Sequence, residues 1–256
     1  MCKVNDFKIL MNKEIHFTES LDSTNKEAMH KMQQLDGGLM HVFYTHHQTA
    51  GRGQGDHIWE AEKAENVLMS ILLKNQLIPL EHQFGISHAV ALALCDFVSE
   101  ELTNAKINIK WPNDILINGK KCAGILVENS SMGDYINTVI AGLGLNLNQK
   151  DFPQHLPDAT SLFLHDARER DIERSVQRIA ELFDVHFENV LNEKWDELLQ
   201  NYNARLWKRG EQCSFSGKDG AFNANILGTE TDGKILLEFE DGTLQGFYHH
   251  EVRMGF

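Results

Sequence analysis

The sequence predicts an α+β fold: a mixed β-sheet flanked by helices, followed by a small C-terminal β-barrel. Three observations predict it. Apolar runs of strand length recur through the first part of the chain, among them NVLMSILL from Asn66 and INTVIAGLGLNLN from Ile136. Two long stretches, Leu80 to Leu102 and Asp171 to about Leu206, carry helical character instead. After Arg209 the texture changes to short β-like runs broken by Asp219-Gly220, Asp232-Gly233 and Asp241-Gly242, the pattern of a small meandering barrel. A boundary near residue 206 divides the chain into domains 1–206 and 207–256.

The elements follow in order. In LDSTNKEAMHKMQQ, Thr24 and Glu27 stand at capping-box spacing, so a helix begins at Ser23 or Thr24. LMHVFYTHHQ reads as a strand entering the glycine-rich TAGRGQGDHIWE, and NVLMSILL as a fully buried strand. The helix from Leu80 to Leu102 is apolar on most sides and therefore buried. INIKW, then DILIN turning into KKCAGILVE, then INTVIAGLGLNLN supply further strands. Val176, Ile179, Leu182, Phe183, Phe187, Val190 and Leu191 recur at helical spacing.

Composition narrows the function. At 256 residues, with 42% hydrophobic and 24% charged, the chain has material for a real core. A net charge of −13 argues against generic nucleic-acid binding and against an anionic membrane surface. The cysteines Cys2, Cys95, Cys122 and Cys213 are scattered, with no C-x-x-C pair, so zinc fingers and a disulfide framework are not suggested. Reduced thiols fit a cytoplasmic enzyme. MCKVNDFKIL lacks the apolar stretch of a signal peptide, and AVALALC from Ala89 is too short to span a bilayer.

The chemistry concentrates in KWPNDILINGKKCAGILVE, Lys110 to Glu128. Asn118-Gly119 is a favoured pair for a two-residue type I′ turn. That turn opposes Ile117 to Lys120, Leu116 to Lys121, Ile115 to Cys122 and Asp114 to Ala123. Side chains alternate along strands, so Asp114, Leu116 and Lys121 share a face and Lys120 points the other way. Pro112 forces Trp111 into an extended conformation and removes a ladder donor just before Asp114. A ligand or metal site is one reading of this carboxylate–ammonium pair, and a structural salt bridge is the other. TAGRGQGDHIW offers backbone amides and Arg52 for phosphate oxygens, yet lacks the G-K-[ST] of a Walker loop. Gly142 and Gly144 mark either a bulge or a close approach of ligand to backbone.

The order LDSTN, QTAGRG, KWPND, GKKCAGILVE, AGLGLNLN and then a small barrel resembles the biotin–protein ligases (holocarboxylase synthetases), over about Leu21 to Val252. The resemblance implies a catalytic domain like those of class II aminoacyl-tRNA synthetases and biotin ligases, with a Src-homology-3-like C-terminal barrel. It implies ATP and biotin as substrates, Mg²⁺, a biotinyl-5′-adenylate, and transfer to one lysine of a biotin carboxyl carrier protein. Carried over by motif, Lys121 stands near the biotin carboxyl and α-phosphate, and Asp114 holds the metal or orients the incoming lysine. Ser23, Thr24, Asn25, Gln48, Gly51, Arg52, Gly53, Gly124 and Gly142 match the biotin-binding positions. Arg52, Gln54, Lys110, Asn113 and Asn146 match the nucleotide side, where Trp59 or Trp111 would stack on adenine unless it serves the core. The pairs His46-His47 and His249-His250 point to opposite faces of a strand and read as structural or exposed.

The chain departs from the family pattern at Gln54-Gly55-Asp56, where an arginine often follows G-R-G, and at EAEKAEN, where S-P-x-G-x-N is common. One phosphate-side cation is missing and an acid is added, so faster escape of the adenylate is expected. About twenty residues precede LDSTN, too few for a three-helix DNA reader, which leads to the expectation of a monofunctional ligase without nucleic-acid or membrane partners. Monomer and homodimer remain open. Competing readings are a lipoate–protein ligase, a non-catalytic adenylate-binding or DNA-associated module, and an adaptor built on the C-terminal barrel.

Overall fold

A computed structural model describes residues 11–218 and 220–255. Cys2 and the rest of MCKVNDFKIL, and Asp219 of the Asp219-Gly220 pair, lie outside the described residues. The larger unit contains β1 (Lys13–Leu21), α1 (Thr24–Lys31), β2 (Met40–Gln48), β3 (Val67–Pro79), α2 (Phe84–Glu101), β4 (Ile107–Lys110), β5 (Asp114–Ile117), β6 (Lys120–Met132) and β7 (Tyr135–Leu145). It continues through α3 (Phe163–Asp166), α4 (Ile172–Leu191) and α5 (Trp195–Ala204). The smaller unit is β8 (Gln212–Gly217), β9 (Gly220–Thr229), β10 (Ile235–Glu238), β11 (Leu244–Phe247) and β12 (Val252–Met254).

Seven strands form one sheet in the order β1-β2-β3-β7-β6-β5-β4. The β1–β2 pair is parallel and the β2–β3 pair antiparallel, which makes the sheet mixed. Helix α2 is apolar nearly all round because it is covered nearly all round: Ala89 through Cys95 are buried, as are Ile86, Phe97 and Val98. It lies between the sheet and α4, whose Val176, Ile179, Phe183 and Phe187 form one buried stripe at helical spacing. On the opposite face, α1 seats Ala28 against Phe43, Leu72 and Ile140.

Three local readings need correction, and one strand is added. KEIHFTESL, which has no clear strand pattern and for which the sequence predicts no element, forms β1, a largely exposed edge strand. The helical run after Asp171 is two helices, broken where Glu193 takes a φ of 55°. Helix α1 starts at Thr24 with Ser23 as its N-cap, but no side chain caps it, so the capping box does not form. The C-terminal strands make an open five-stranded antiparallel sheet, ordered β11-β10-β9-β8-β12, and not a closed barrel. Closure would need a ladder between β11 and β12, which stand at opposite ends of the order; each is short, four and three residues, and is paired along one edge alone, with β10 and β8. Phe222 stacks with Phe215 and Phe239 across this sheet, at centroid distances of 5.7 and 5.4 Å.

The turn at 118–119 is as expected, with φ of 50° at Asn118 and 82° at Gly119. Ile117 opposes Lys120 and Leu116 opposes Lys121, but the register then slips: Ile115 meets Ala123, and Asp114 meets Gly124. The extra residue is a β-bulge at Cys122. Cys122 and Ala123 both enter the core, so Lys121 and Gly124 end up on the other face together, although they are an odd three positions apart. Gly119→Ala places a Cβ at a left-handed φ with open space around it, so only backbone strain acts. We expect a loss of about 1 kcal/mol, read as a fall in melting temperature of about 2–4 °C.

Candidate active site

The glycine face of β6 and β7 forms the floor of a cleft of about 1010 Å³. Its walls come from the start of α1, the loop after Gln48, the turn joining β4 to β5, and His249 to Gly255 of the small sheet. Gly124 and Gly144 are cross-strand partners. A Cβ on Gly124 would lie 2.9 Å from the Trp59 ring, and one on Gly144 2.3 Å from it. The indole therefore lies flat against bare backbone, which only glycine at both positions permits. Its Nε1 is buried and has no hydrogen-bond partner. A Cβ on Gly142 would fall 2.1 Å from Asn25 Oδ1, so that glycine admits the Asn25 side chain.

Pro112 sits in the three-residue turn between Lys110 and Asp114, which themselves pair across β4 and β5. The Trp111–Pro112 peptide is cis. Asp114 leaves this turn facing Lys121, with 2.7 Å between Lys121 Nζ and Asp114 Oδ1. The contact is an ion pair without aligned hydrogen-bond geometry, since Asp114 Oδ1 is buried and makes no hydrogen bond. Lys121 Nζ also stands 5.6 Å from the centroid of Trp59. Lys110 lines the same cleft. Burial lowers the pKa of its ammonium to about 8; Asp114 opposes the shift and Lys121 adds to it. Below pH 8 Lys110 is thus a cation able to attract a polyanion, and above it the charge is lost. We expect kcat/KM for a nucleotide triphosphate to fall by about tenfold per pH unit above about 8, and Lys110→Met to abolish that limb.

At the other end the hydroxyls spared from capping α1 are spent on the cleft. Thr24 donates its backbone N–H and its hydroxyl to Gln48 Oε1, at 2.8 and 3.2 Å. Ser70 Oγ stands 2.6 Å from Thr24 Oγ1 and 2.5 Å from Asn25 Oδ1. Asn25 Nδ2 donates to Glu128 Oε2 at 2.7 Å, and Arg52 Nη1 donates to Glu128 Oε1 at 3.0 Å. One chain of contacts thereby joins β3, α1, β6 and the glycine-rich loop.

Of the residues singled out from sequence, Ser23, Thr24, Asn25, Gln48, Arg52, Gly53, Gln54, Trp59, Lys110, Asn113, Asp114, Lys121, Gly124 and Gly142 all line the cleft, as does Trp111. Gly51 and Asn146 do not. Gly51 is packed under the Trp59 carbonyl, 2.5 Å from where its Cβ would stand. Asn146 is buried; its Nδ2 donates to the Thr160 carbonyl at 3.0 Å, leaving Oδ1 unpaired. His46 and His47 meet Glu19 and Ser20 of the edge strand, away from the cleft. His249 and His250, read as structural or exposed, are both exposed, and they line the cleft wall together with Arg253. Ser70 and Glu128 were missed; both act through contacts to residues 45 and 76 or more positions away, which local pattern cannot convey.

A seven-stranded mixed sheet thus carries a glycine-floored cleft, a lysine–aspartate pair and an arginine-bearing loop. Residues 17–146 match the model of the biotin/lipoate A/B protein ligase family, and the chain belongs to that family. The chain is 30% identical over 249 residues to the bifunctional ligase/repressor BirA of Bacillus subtilis (strain 168), covering 96% of this chain and 75% of that one. It is 36% identical over 124 residues to the biotin–(acetyl-CoA-carboxylase) ligase of Mycobacterium tuberculosis, 47% of this chain and 44% of the other. Among solved structures, the biotin protein ligase from Aquifex aeolicus in complex with biotin and ATP shares the fold, with a TM-score of 0.78 at 22% identity, over 94% of this chain and 99% of that one.

Proposed function

We infer that this chain is an ATP-dependent biotin–protein ligase. It condenses biotin with ATP to biotinyl-5′-adenylate and transfers the biotinyl group to a lysine of a carboxyl carrier protein. The observation that carries the reading is the Lys121–Asp114 pair at 2.7 Å, set over a glycine floor beside Trp59. In the first step a biotin carboxylate oxygen attacks the α-phosphorus, and the bond to the β-phosphate oxygen breaks, releasing pyrophosphate. Two anions must meet, so fixed positive charge at the reacting centre is the main requirement. Lys121 and Lys110 supply it from the floor and the β4–β5 turn. In the second step the neutral acceptor amine attacks the acyl carbon, AMP departs with the bonding pair, and the nitrogen gives up one proton to solvent.

The residues fit Mg²⁺ in a limited sense. Asp114 Oδ1 is a buried hard oxygen with no aligned hydrogen bond, and Mg²⁺ is commonly held by one or two carboxylates plus substrate phosphates. When bound there, the ion would neutralise charge on the phosphates. Thr24, Asn25, Gln48 and Ser70 form the polar end suited to the ureido ring of biotin, and Trp59 offers a face for adenine. Arg52, engaged with Glu128, is placed so that an incoming anion competes for its guanidinium. We place the division near residue 206, after α5, so that a catalytic unit is followed by a smaller sheet whose His249, His250 and Arg253 line the cleft on the nucleotide side.

The reading is tested by incubating the chain with biotin, Mg-ATP and a biotin carrier domain. One biotinyl mass increment on a single acceptor lysine is expected. Modification by lipoate in place of biotin, or none, would reject it.

A further inference from the structure

At the far end of β1 and β2 three side chains converge that the ligase reaction does not use. Glu14 and His41 are direct partners in the parallel register, and His16 lies two residues along from Glu14 on the same face. His16 Nε2 is 3.3 Å from His41 Nδ1, Glu14 Oε2 is 3.4 Å from His41 Nδ1, and Glu14 Oε2 is 3.8 Å from His16 Nε2. We propose that Glu14, His16 and His41 form a binding site for a divalent transition-metal ion of the zinc class, with the fourth position left to water.

The spacing suits the ion. Zinc bound at 2.0–2.1 Å in tetrahedral geometry sets its ligand atoms roughly 3.4 Å apart. The donor set, two imidazoles and one carboxylate, is that of open zinc sites with three protein ligands. The tautomer of His41 suits it as well. His41 Nε2 is 2.8 Å from the Asp36 carbonyl, which only accepts, so the ring proton sits on Nε2. The Nδ1 lone pair is then aimed at the cluster, and the carbonyl is the outer partner that orients a ligating histidine.

Without an ion the cluster is poorly satisfied. His41 Nδ1 and the Glu14 carboxylate both accept, and the single possible N–H on His16 Nε2 faces them at 3.3 and 3.8 Å, longer than good hydrogen bonds. His41 is 1% exposed, so water cannot readily serve it. Stacking of His16 on Phe43, with centroids 4.7 Å apart, fixes that ring. Among the described residues, Lys31 is a cation that acts on His16 and opposes a bound ion, and Glu14 offsets it. The active-site end of β2 is seven residues away, roughly 23 Å at strand rise, so the ion would brace the loop around Asp36 and not take part in catalysis.

The test uses the full chain stripped of metal with a chelator, then titrated with Zn²⁺ against a competing indicator dye and with Co²⁺ followed by absorbance. One equivalent should bind, raise the melting temperature, and resist millimolar Mg²⁺, which prefers oxygen donors. Glu14→Gln and His16→Gln should each weaken binding by about tenfold or more while leaving Mg-dependent biotinylation at the wild-type rate. Both positions are partly exposed, so the variants should fold, whereas a change at buried His41 could unfold the strand. Absence of stoichiometric binding by the wild type, or wild-type affinity in either variant, overturns the site.

Discussion

Lys121→Ala is expected to lower the rate of adenylate formation by about 10²–10³-fold, the loss typical of removing one preorganised group from a developing negative charge. The ammonium stands on the cleft face because the 118–119 turn and the Cys122 bulge put it there, 2.7 Å from Asp114 and beside Trp59. In the proposed mechanism it meets the reacting atoms and not the core. The kinetic form of the loss follows. Charge accumulates as the carboxylate and α-phosphate approach, so kcat and kcat/KM should fall together, with little change in biotin affinity. Stability should scarcely move. The Lys121 side chain is 33% exposed and Asp114 17% exposed, and a partly solvated pair of this kind contributes about 1 kcal/mol or less. Biotin-dependent exchange of labelled pyrophosphate into ATP, with a melting curve on the same sample, measures both. A melting loss matching the activity loss, or retained exchange, would sink the assignment of Lys121.

The face carrying Lys121 was legible in the sequence because Asn-Gly selects a turn type, and a turn type fixes register for the nearest two pairs. Beyond them it was not. The bulge at Cys122 shifts Asp114 from Ala123 to Gly124, and nothing in KKCAG announces an inserted residue. The slip leaves the conclusion intact because Leu116 and Lys121 lie on the turn side of it. Long apolar elements were equally legible: α2 is apolar because it is enclosed, and no other setting suits that pattern. Edge strand β1 was not, since an exposed edge needs little hydrophobic alternation. Cleft-lining residues were legible where a local motif carries them, as in the stretch from Ser23 to Asn25 and the glycine-rich loop. Glu128 and Ser70 escaped because their contacts come from packing between segments distant in sequence.

Release of the adenylate is the property in which this chain should differ most from an arginine-bearing relative. A mixed anhydride persists only while the site holds it and keeps water away. Here Gln54, Gly55 and Asp56 line the cleft where the family often places an arginine. The cations of the flanking loop are engaged elsewhere: Arg52 with Glu128 at 3.0 Å and Lys63 with Glu19 at 3.0 Å. The loop thus presents an acid and an amide to the phosphate end, and it can close over the adenylate without gripping its charge. Gln54→Arg would add a charge-assisted hydrogen bond worth about 1.5–3 kcal/mol, so escape should slow by about 10–100-fold. Asp56→Asn should slow it less, by removing repulsion without adding a donor. Both rates are read by forming labelled adenylate without acceptor, chasing with excess unlabelled biotin and ATP, and following the label that leaves the protein. Gln54 is half-buried in an irregular loop, so neither change should disturb folding. An unchanged escape rate in Gln54→Arg would mean that retention rests on the Arg52–Glu128 pair or on the small sheet, and the loop account would be wrong.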